Sequence, residues 1–307
     1  MKTASRKSNP MRLKFIYVLL ALASIAYIAL TYKAELNHKS TSSPGIGTLL
    51  LSLSVAIPEI AIWVLAFVSS IRLKQYTMTI KKFKDGKSLR YVSDSLLLMS
   101  LYVVLLSASG SVVELFRYSH SLRAVVVLEN YIPLSIALVS SLLLCLGSIR
   151  LNRMVSIQFK IQTRLGIASV YVAIAALFAR HFYVAEPKLV PQNGIPRFVL
   201  SDKLLFFSYI LPHLIMWAVG IFGCVSMANY SLFTKGAIYK RLFNKLYQGI
   251  LLVFICTFLA QLFIISDFNL NGMSLGLILV YLLLVLAACG FVLIYRGSES
   301  LGKLENV

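Results

Sequence analysis

Charge is what this chain has least of. Lys, Arg, Asp and Glu make up 13% of its 307 residues, and only 11 are acidic; a soluble domain needs about a quarter of its residues charged to clothe its surface. Hydrophobic residues fill 59% of the chain and the mean hydropathy is +0.82, so composition alone makes it an integral membrane protein. Cysteine is sparse too. Cys145, Cys224, Cys256 and Cys289 all lie in apolar runs, away from the loops where oxidation pairs thiols, so a disulfide framework is not expected and their spacing matches no metal motif. Of four histidines, His38, His120 and His181 sit in or beside loops, leaving His213 alone in a span, too few for a membrane haem. No HExxH, Walker loop or GxGxxG is present, so metal hydrolysis and nucleotide binding lack their usual residues. We expect no cofactor and assign no catalytic residue.

What is present is length without charge. Eight apolar runs, at about 15–32, 47–71, 95–117, 131–149, 165–184, 203–227, 247–266 and 274–295, are each long enough to cross ~30 Å of hydrocarbon as a helix. With the N-terminus placed inside, 22 of the 30 basic residues fall on the inner side, which predicts a cytoplasmic membrane with both termini cytoplasmic. The first span is read as a retained helix and not as a cleaved signal, because its counterpart at 165–184 is internal. The net charge of +19 belongs to that topology and to anionic lipid headgroups at the inner basic loops, not to nucleic acid. The inner segments 72–94 and 228–246 interleave basic and bulky residues, with Ile238, Leu242 and Leu246 on one face, and are expected to form short amphipathic helices in the headgroup layer.

The chain is also written twice. A shift of 154 positions carries Tyr17 onto Tyr171, Ser54 onto Ser208, Pro58 onto Pro212, Trp63 onto Trp217, Tyr76 onto Tyr230 and Lys81 onto Lys235. Both tryptophans are matched together with the prolines five residues before them. The expected fold is therefore all-α: a polytopic membrane protein of eight transmembrane helices in two tandem four-helix repeats. Its parts are a basic tail at 1–14, repeats at 15–150 and 165–296, and a tail at 297–307. Four spans return the chain to its starting side, so the pseudo-twofold axis relating the repeats runs along the membrane normal. The fourth spans align only after a deletion of roughly eight residues, which sets Arg150 beside Arg296 in the alignment.

Function is sought on the second span of each repeat. Ser52, Ala56, Glu59, Trp63, Ala66 and Ser70 share one helix face, and the shift turns them into Phe206, Ile210, His213, Trp217, Gly220 and Cys224. Small residues at that spacing let backbones approach in lipid. The two stripes are expected to face each other across the axis, bringing Glu59 to His213. An ionised carboxylate at mid-membrane costs roughly 2.5–3.5 kcal/mol on the mildest scale, so Glu59 is a functional candidate. Pro58 and Pro212 each remove a backbone donor in mid-span, and Trp63 and Trp217 offer packing or stacking surfaces. Glu114 and Asp267, near the outer ends of spans three and seven, suggest an acidic outer vestibule. Asp94 is expected to start a helix. Ser107, Gly110 and Ser111, and Gly272 with Gly276, are expected to be close-packing sites. The 181–203 loop, with Pro187, Pro191, Gly194 and Pro196, is expected to turn repeatedly and to hold no folded domain.

Two functions of different class fit these residues. One is a transporter moving a small polar or amphipathic solute along a pathway lined by Glu59, His213, the two tryptophans and the two prolines. The other is a non-catalytic scaffold or complex subunit that binds lipid, a protein partner or further copies of itself.

Overall fold

A computed structural model describes residues 18–29, 32, 46–79, 86–116, 131–153, 168–170, 172, 189–192, 195–198, 203–234, 237–265 and 273–302. The helices are α1 (Val18–Ala29), α2 (Ile46–Thr79), α3 (Gly86–Phe116), α4 (Ile132–Arg153), α5 (Lys203–Phe233), α6 (Ala237–Ile265) and α7 (Met273–Gly302). The strands are β1 (Leu189–Gln192) and β2 (Ile195–Phe198). Six helices, α2 to α7, are long and apolar enough to cross a membrane, and the chain is an integral membrane protein. Helix is the required form here, because in lipid only a helix or a closed barrel satisfies its own backbone. α1 covers the middle of the first predicted span, and the helical residues at 168–170 and 172 fall in the fifth.

The helices outrun the hydrophobic segments that predicted them. α2 has 34 residues, α3 and α5 31 each, α7 30 and α6 29. At 1.5 Å per residue a 30-residue helix reaches about 45 Å, well beyond the hydrocarbon layer. The expected headgroup helices over 72–94 and 228–246 are therefore corrected: α2 continues to Thr79 and α5 to Phe233, while α3 and α6 begin at Gly86 and Ala237. The physical reason is a better partner than lipid. Leu242 and Leu246 are fully buried, and a Cβ placed on Gly297 of α7 would lie 3.3–3.4 Å from Lys245, Leu242 and Leu246. Asp94 does not start a helix either; it lies inside α3 and pairs with Lys74 at 3.0 Å. The turn between α5 and α6 is closed by Thr234 N–H donating to the Tyr230 carbonyl at 3.0 Å, and Ser231 donates to Asn244 Oδ1 at 2.7 Å.

The extended contacts among α2 to α7 close a ring. α2 packs on α3, α3 on α4, α4 on α5, α5 on α6, α6 on α7, and α7 returns to α2. Buried residues of all six helices join one core, including Leu73, Leu89, Leu138, Met216, Phe254 and Phe291. One end of this ring gathers the charges: Arg72 meets Glu299, Lys74 meets Asp94, and the Arg150 guanidinium stacks 4.6 Å over Tyr91. We call this the basic end and its opposite the far end.

Helix contacts recur along the chain. A Cβ on Gly147 would meet Ser88, Tyr91 and Val92, and one on Gly297 meets Leu242, Lys245 and Leu246; each of the latter three lies 154 positions after its counterpart. Ser95 and Ser140 exchange hydrogen bonds at 2.7 and 2.8 Å where α3 crosses α4. Where α6 crosses α7, Gly249 and Gly290 touch backbone to backbone. In the fourth spans Gly147 and Ser140 correspond to Gly297 and Gly290, 150 positions on. At these contacts the offset is 150, four less than 154, and the same offset carries Arg150 onto Ser300.

Close approach is made at Gly147, Gly223, Gly249 and Gly290, glycines not singled out by spacing. The side chains of Ser107 and Ser111, and the surroundings of Gly110 and Gly276, are not described, and Gly272 lies outside the described residues. Several buried serines bond within their own helix: Ser70, Ser100 and Ser148 each lie 2.8 Å from the carbonyl four residues earlier. The 181–203 loop carries an antiparallel hairpin, with Leu189 opposite Phe198 and Pro191 opposite Pro196. Asn193–Gly194 joins its strands, the sequence pair most typical of a two-residue hairpin.

Gly249→Leu is expected to force α6 and α7 apart and to destabilise the protein by roughly 1–3 kcal/mol. Leu282→Ala, at a position 52% exposed on α7, should leave it within about 0.5 kcal/mol. Unfolding of both variants in lipid–detergent bicelles separates the two expectations.

Candidate functional site

The two stripes are each the buried face of their helix, but they look at different neighbours. On α2, Ala56, Trp63, Ala66 and Ser70 are buried and Glu59 is half-buried. The Tyr27 hydroxyl of α1 donates to Glu59 Oε2, and the Tyr27 ring lies tilted over Trp63 with centroids 4.6 Å apart. Val103, Val104 and Ala108 of α3 complete this cluster. Further along, Ser70 and Ser100 share a hydrogen bond at 2.9 Å. The side chain of Ser52 is not described.

On α5, His213, Trp217, Gly220 and Cys224 are buried. His213 approaches Trp217 at 5.7 Å between centroids, and Trp217 meets the edge of Phe258 of α6 at 4.4 Å. The side chains of Phe206 and Ile210 are not described. Each tryptophan therefore packs against the helix that follows it, Trp63 on Val104 and Trp217 on Phe258, residues again 154 apart.

The expected meeting of Glu59 with His213 is corrected. α2 and α5 are not neighbours in the ring; α2 turns its stripe toward Tyr27 of α1 and toward α3, and α5 turns its own toward α6. Short connections make α3 and α6 antiparallel partners, and the small residues of the stripes are used there. Glu59 and His213 occupy corresponding places in separate clusters. Pro58 and Pro212 both lie inside continuous helices; Pro212 is buried and Pro58 half-buried.

Glu59 is nonetheless at a distinctive level. At about 100° per residue, it lies beside the line of α2 that faces α3 (Trp63, Ser70, Lys74), on the side turned toward the line that meets α7 (Ser54, Arg72). On the basic side of Glu59 that arc is sealed by Ile62, Ala66 and Leu73, all buried. On the far side it is not. α7 buries no residue from Tyr281 to Cys289, whereas Gly290, Phe291, Ile294, Gly297 and Ser298 are buried. α4, which stands where α7 stands but in the other half of the ring, buries Tyr131, Pro133, Leu134, Ala137 and Leu138 over the corresponding stretch.

The two seams that close the ring differ in chemistry as well. Between α4 and α5, Asn152 donates to the Ser226 carbonyl and to its Oγ at 2.6 Å, with both residues buried, and Gly223 lies against Leu144 and Cys145. Between α2 and α7, the Arg72 guanidinium donates to the Tyr295 hydroxyl, stacks 4.5 Å over its ring and pairs with Glu299 at 3.6 Å. Tyr281 donates to the Ser54 carbonyl at 3.0 Å toward the far end. None of these residues was expected from sequence to join helices; Ser54 was noted only as a repeat match and Cys145 only as a thiol in a span. The charge of Arg72 was assigned to topology, which hides a specific contact among many basic neighbours.

The acidic vestibule stays undescribed: the Glu114 side chain is not described, although its backbone ends α3, and Asp267 lies outside the described residues. All four cysteines are free. Among the described residues no three His, Cys, Asp or Glu gather as for a metal ion. The string Gly272-Met273-Ser274-Leu275-Gly276 spells GxSxG, but Ser274 is the second residue of α7, and a nucleophile elbow needs the serine on a sharp turn between strand and helix.

Tyr27→Phe combined with Glu59→Gln should show a coupling of about 0.5–2 kcal/mol in a double-mutant cycle, the range for interhelical hydrogen bonds in lipid. Glu59→Gln combined with His213→Ala should add within about 0.5 kcal/mol, as separate clusters do. Unfolding in bicelles reads both, and a strong Glu59–His213 coupling would overturn the separation drawn here. No family model, no curated protein and no solved structure matches this chain.

Proposed function

We propose that this protein is a transporter of a small polar or amphipathic solute, built from two tandem four-helix repeats with eight spans and a pseudo-twofold axis along the membrane normal. Recurrence of the helix contacts at offsets of 154 and 150 supports the repeat. The chain's direction supports the span count: α4 ends at the basic end and α5 begins at the far end, and between them 168–170 and 172 are helical with Val170 buried. The concentration of Lys and Arg supports a cytoplasmic basic end with both termini beside it.

One observation carries the transport reading. Glu59 is a half-buried carboxylate in mid-span, positioned by Tyr27, at the level where the bundle passes from the sealed side of Ile62 and Leu73 to the loosely covered far half of the α2–α7 seam. A carboxylate is costly in lipid, and a scaffold gains nothing from leaving one partly accessible. The solute path runs down the α2–α7 seam from the far face to Glu59, with Trp63 and Pro58 behind it. His213 and Trp217, fully enclosed against α6, hold the second half together.

Cells producing the wild-type protein should accumulate or deplete at least one small molecule by about tenfold relative to cells producing Glu59→Gln, with equal protein in the membrane, as read by untargeted mass spectrometry. Identical small-molecule contents would reject the reading. The scaffold alternative draws on the α4–α5 seam, which is close-packed; it gains ground if the protein is extracted gently with a stoichiometric protein partner. Anionic lipid headgroups at the basic end serve either function.

A further inference from the structure

We infer that the α2–α7 seam is the moving joint of the molecule and the α4–α5 seam its hinge, with Arg72, Tyr295 and Glu299 forming a latch that holds the basic end closed. The inference rests on the transport reading, to which it adds the element that moves.

The two seams occupy corresponding places in the ring, each joining the last span of one half to the second span of the other. Equivalent joints in a duplicated chain have no reason to differ unless they are used differently. They differ at both ends. At the basic end, α4 and α5 meet through Asn152 and Ser226, both buried, and through Gly223 set against the Cys145 backbone. Separating them would strand polar groups out of water and open a void beside the glycine, so this joint resists opening.

The corresponding joint of α2 and α7 is held by a guanidinium whose side chain is 30% exposed and a carboxylate 50% exposed, with the Tyr295 ring and hydroxyl between them. Separating this pair returns both charges to water, which solvates them well, so the latch is weak and sensitive to salt. At the far end the α7 residues from Tyr281 to Cys289 are half-buried or exposed, and Tyr281 donates to the Ser54 carbonyl of α2. The present arrangement is thus closed at the basic end by a contact that breaks at little cost. Breaking it while the α4–α5 joint holds swings the halves apart at the α2–α7 side, and Glu59 then meets the basic face.

The test uses the full chain in lipid nanodiscs with its four cysteines replaced by serine or alanine. Spin labels at Gln75 and Arg296 span the α2–α7 seam, and labels at Arg150 and Leu232 span the α4–α5 seam. Arg72→Gln with Glu299→Gln should lengthen and broaden the Gln75–Arg296 distances by about one helical turn, roughly 5 Å, and leave Arg150–Leu232 narrow. The exchanged pair, Arg72→Glu with Glu299→Arg, should restore the original distribution, and raised salt should mimic the neutral variant. If both seams broaden alike, only α4–α5 changes, or neither responds, the latch and hinge are wrong. An immobile seam in a protein whose transport still depends on Glu59 sinks this inference alone. A seam that moves in a protein that carries no solute sinks the transport reading instead.

Discussion

Everything in this bundle depends on small residues where helices cross. In lipid, apolar side chains gain nothing by leaving one apolar environment for another, so helices are held by close contact and by hydrogen bonds. Gly249 against Gly290, Ser95 against Ser140, Gly147 against Ser88 and Gly223 against Cys145 supply both. These crossings set the order of the ring and bring the charged helix ends together at one face. The side chains of the core, from Leu73 to Phe291, fill the space the crossings define.

Helix contacts that recur 154 or 150 positions apart are made by different chemistry. Reciprocal serine hydrogen bonds on α3 and α4 stand where a glycine pair stands on α6 and α7, and a carboxylate bonded to Tyr27 stands where an imidazole is enclosed beside Trp217. Packing positions are retained in kind while polar positions diverge. That is the pattern expected when geometry is constrained by shape and the buried polar groups have been assigned separate tasks.

Much of this was legible before any coordinates. Hydropathy located six long spans to within a few residues at their lipid-facing ends, and periodicity identified the buried faces of α2 and α5. The failures have physical causes. Hydropathy stops at the first lysines, but a helix does not, so α2 and α3 run on past Arg72 and Asp94. Periodicity names a face and not the neighbour behind it, so the spacing matched Glu59 to His213 although its partner is Tyr27 of α1. Arginine was a poor guide to the fourth spans because its place answers to the membrane surface; Gly147 and Gly297, pressed against backbone, were the better one. The hairpin at 189–198 was announced by Asn193–Gly194, a turn signal passed over because membrane helices dominated the reading.

The Tyr27–Glu59 bond also bears on how the chain is made. A chain is synthesised from its N-terminal end, so α1 is made before α2 is complete. When Glu59 follows 32 residues after Tyr27, its carboxyl group faces a hydrocarbon phase that disfavours it by roughly 2.5–3.5 kcal/mol if left alone. A phenol already stationed at that depth offers the acid a partner on arrival. The first helix thereby serves as a receiving post for the second, and biogenesis of the bundle gains an order that the finished ring no longer displays.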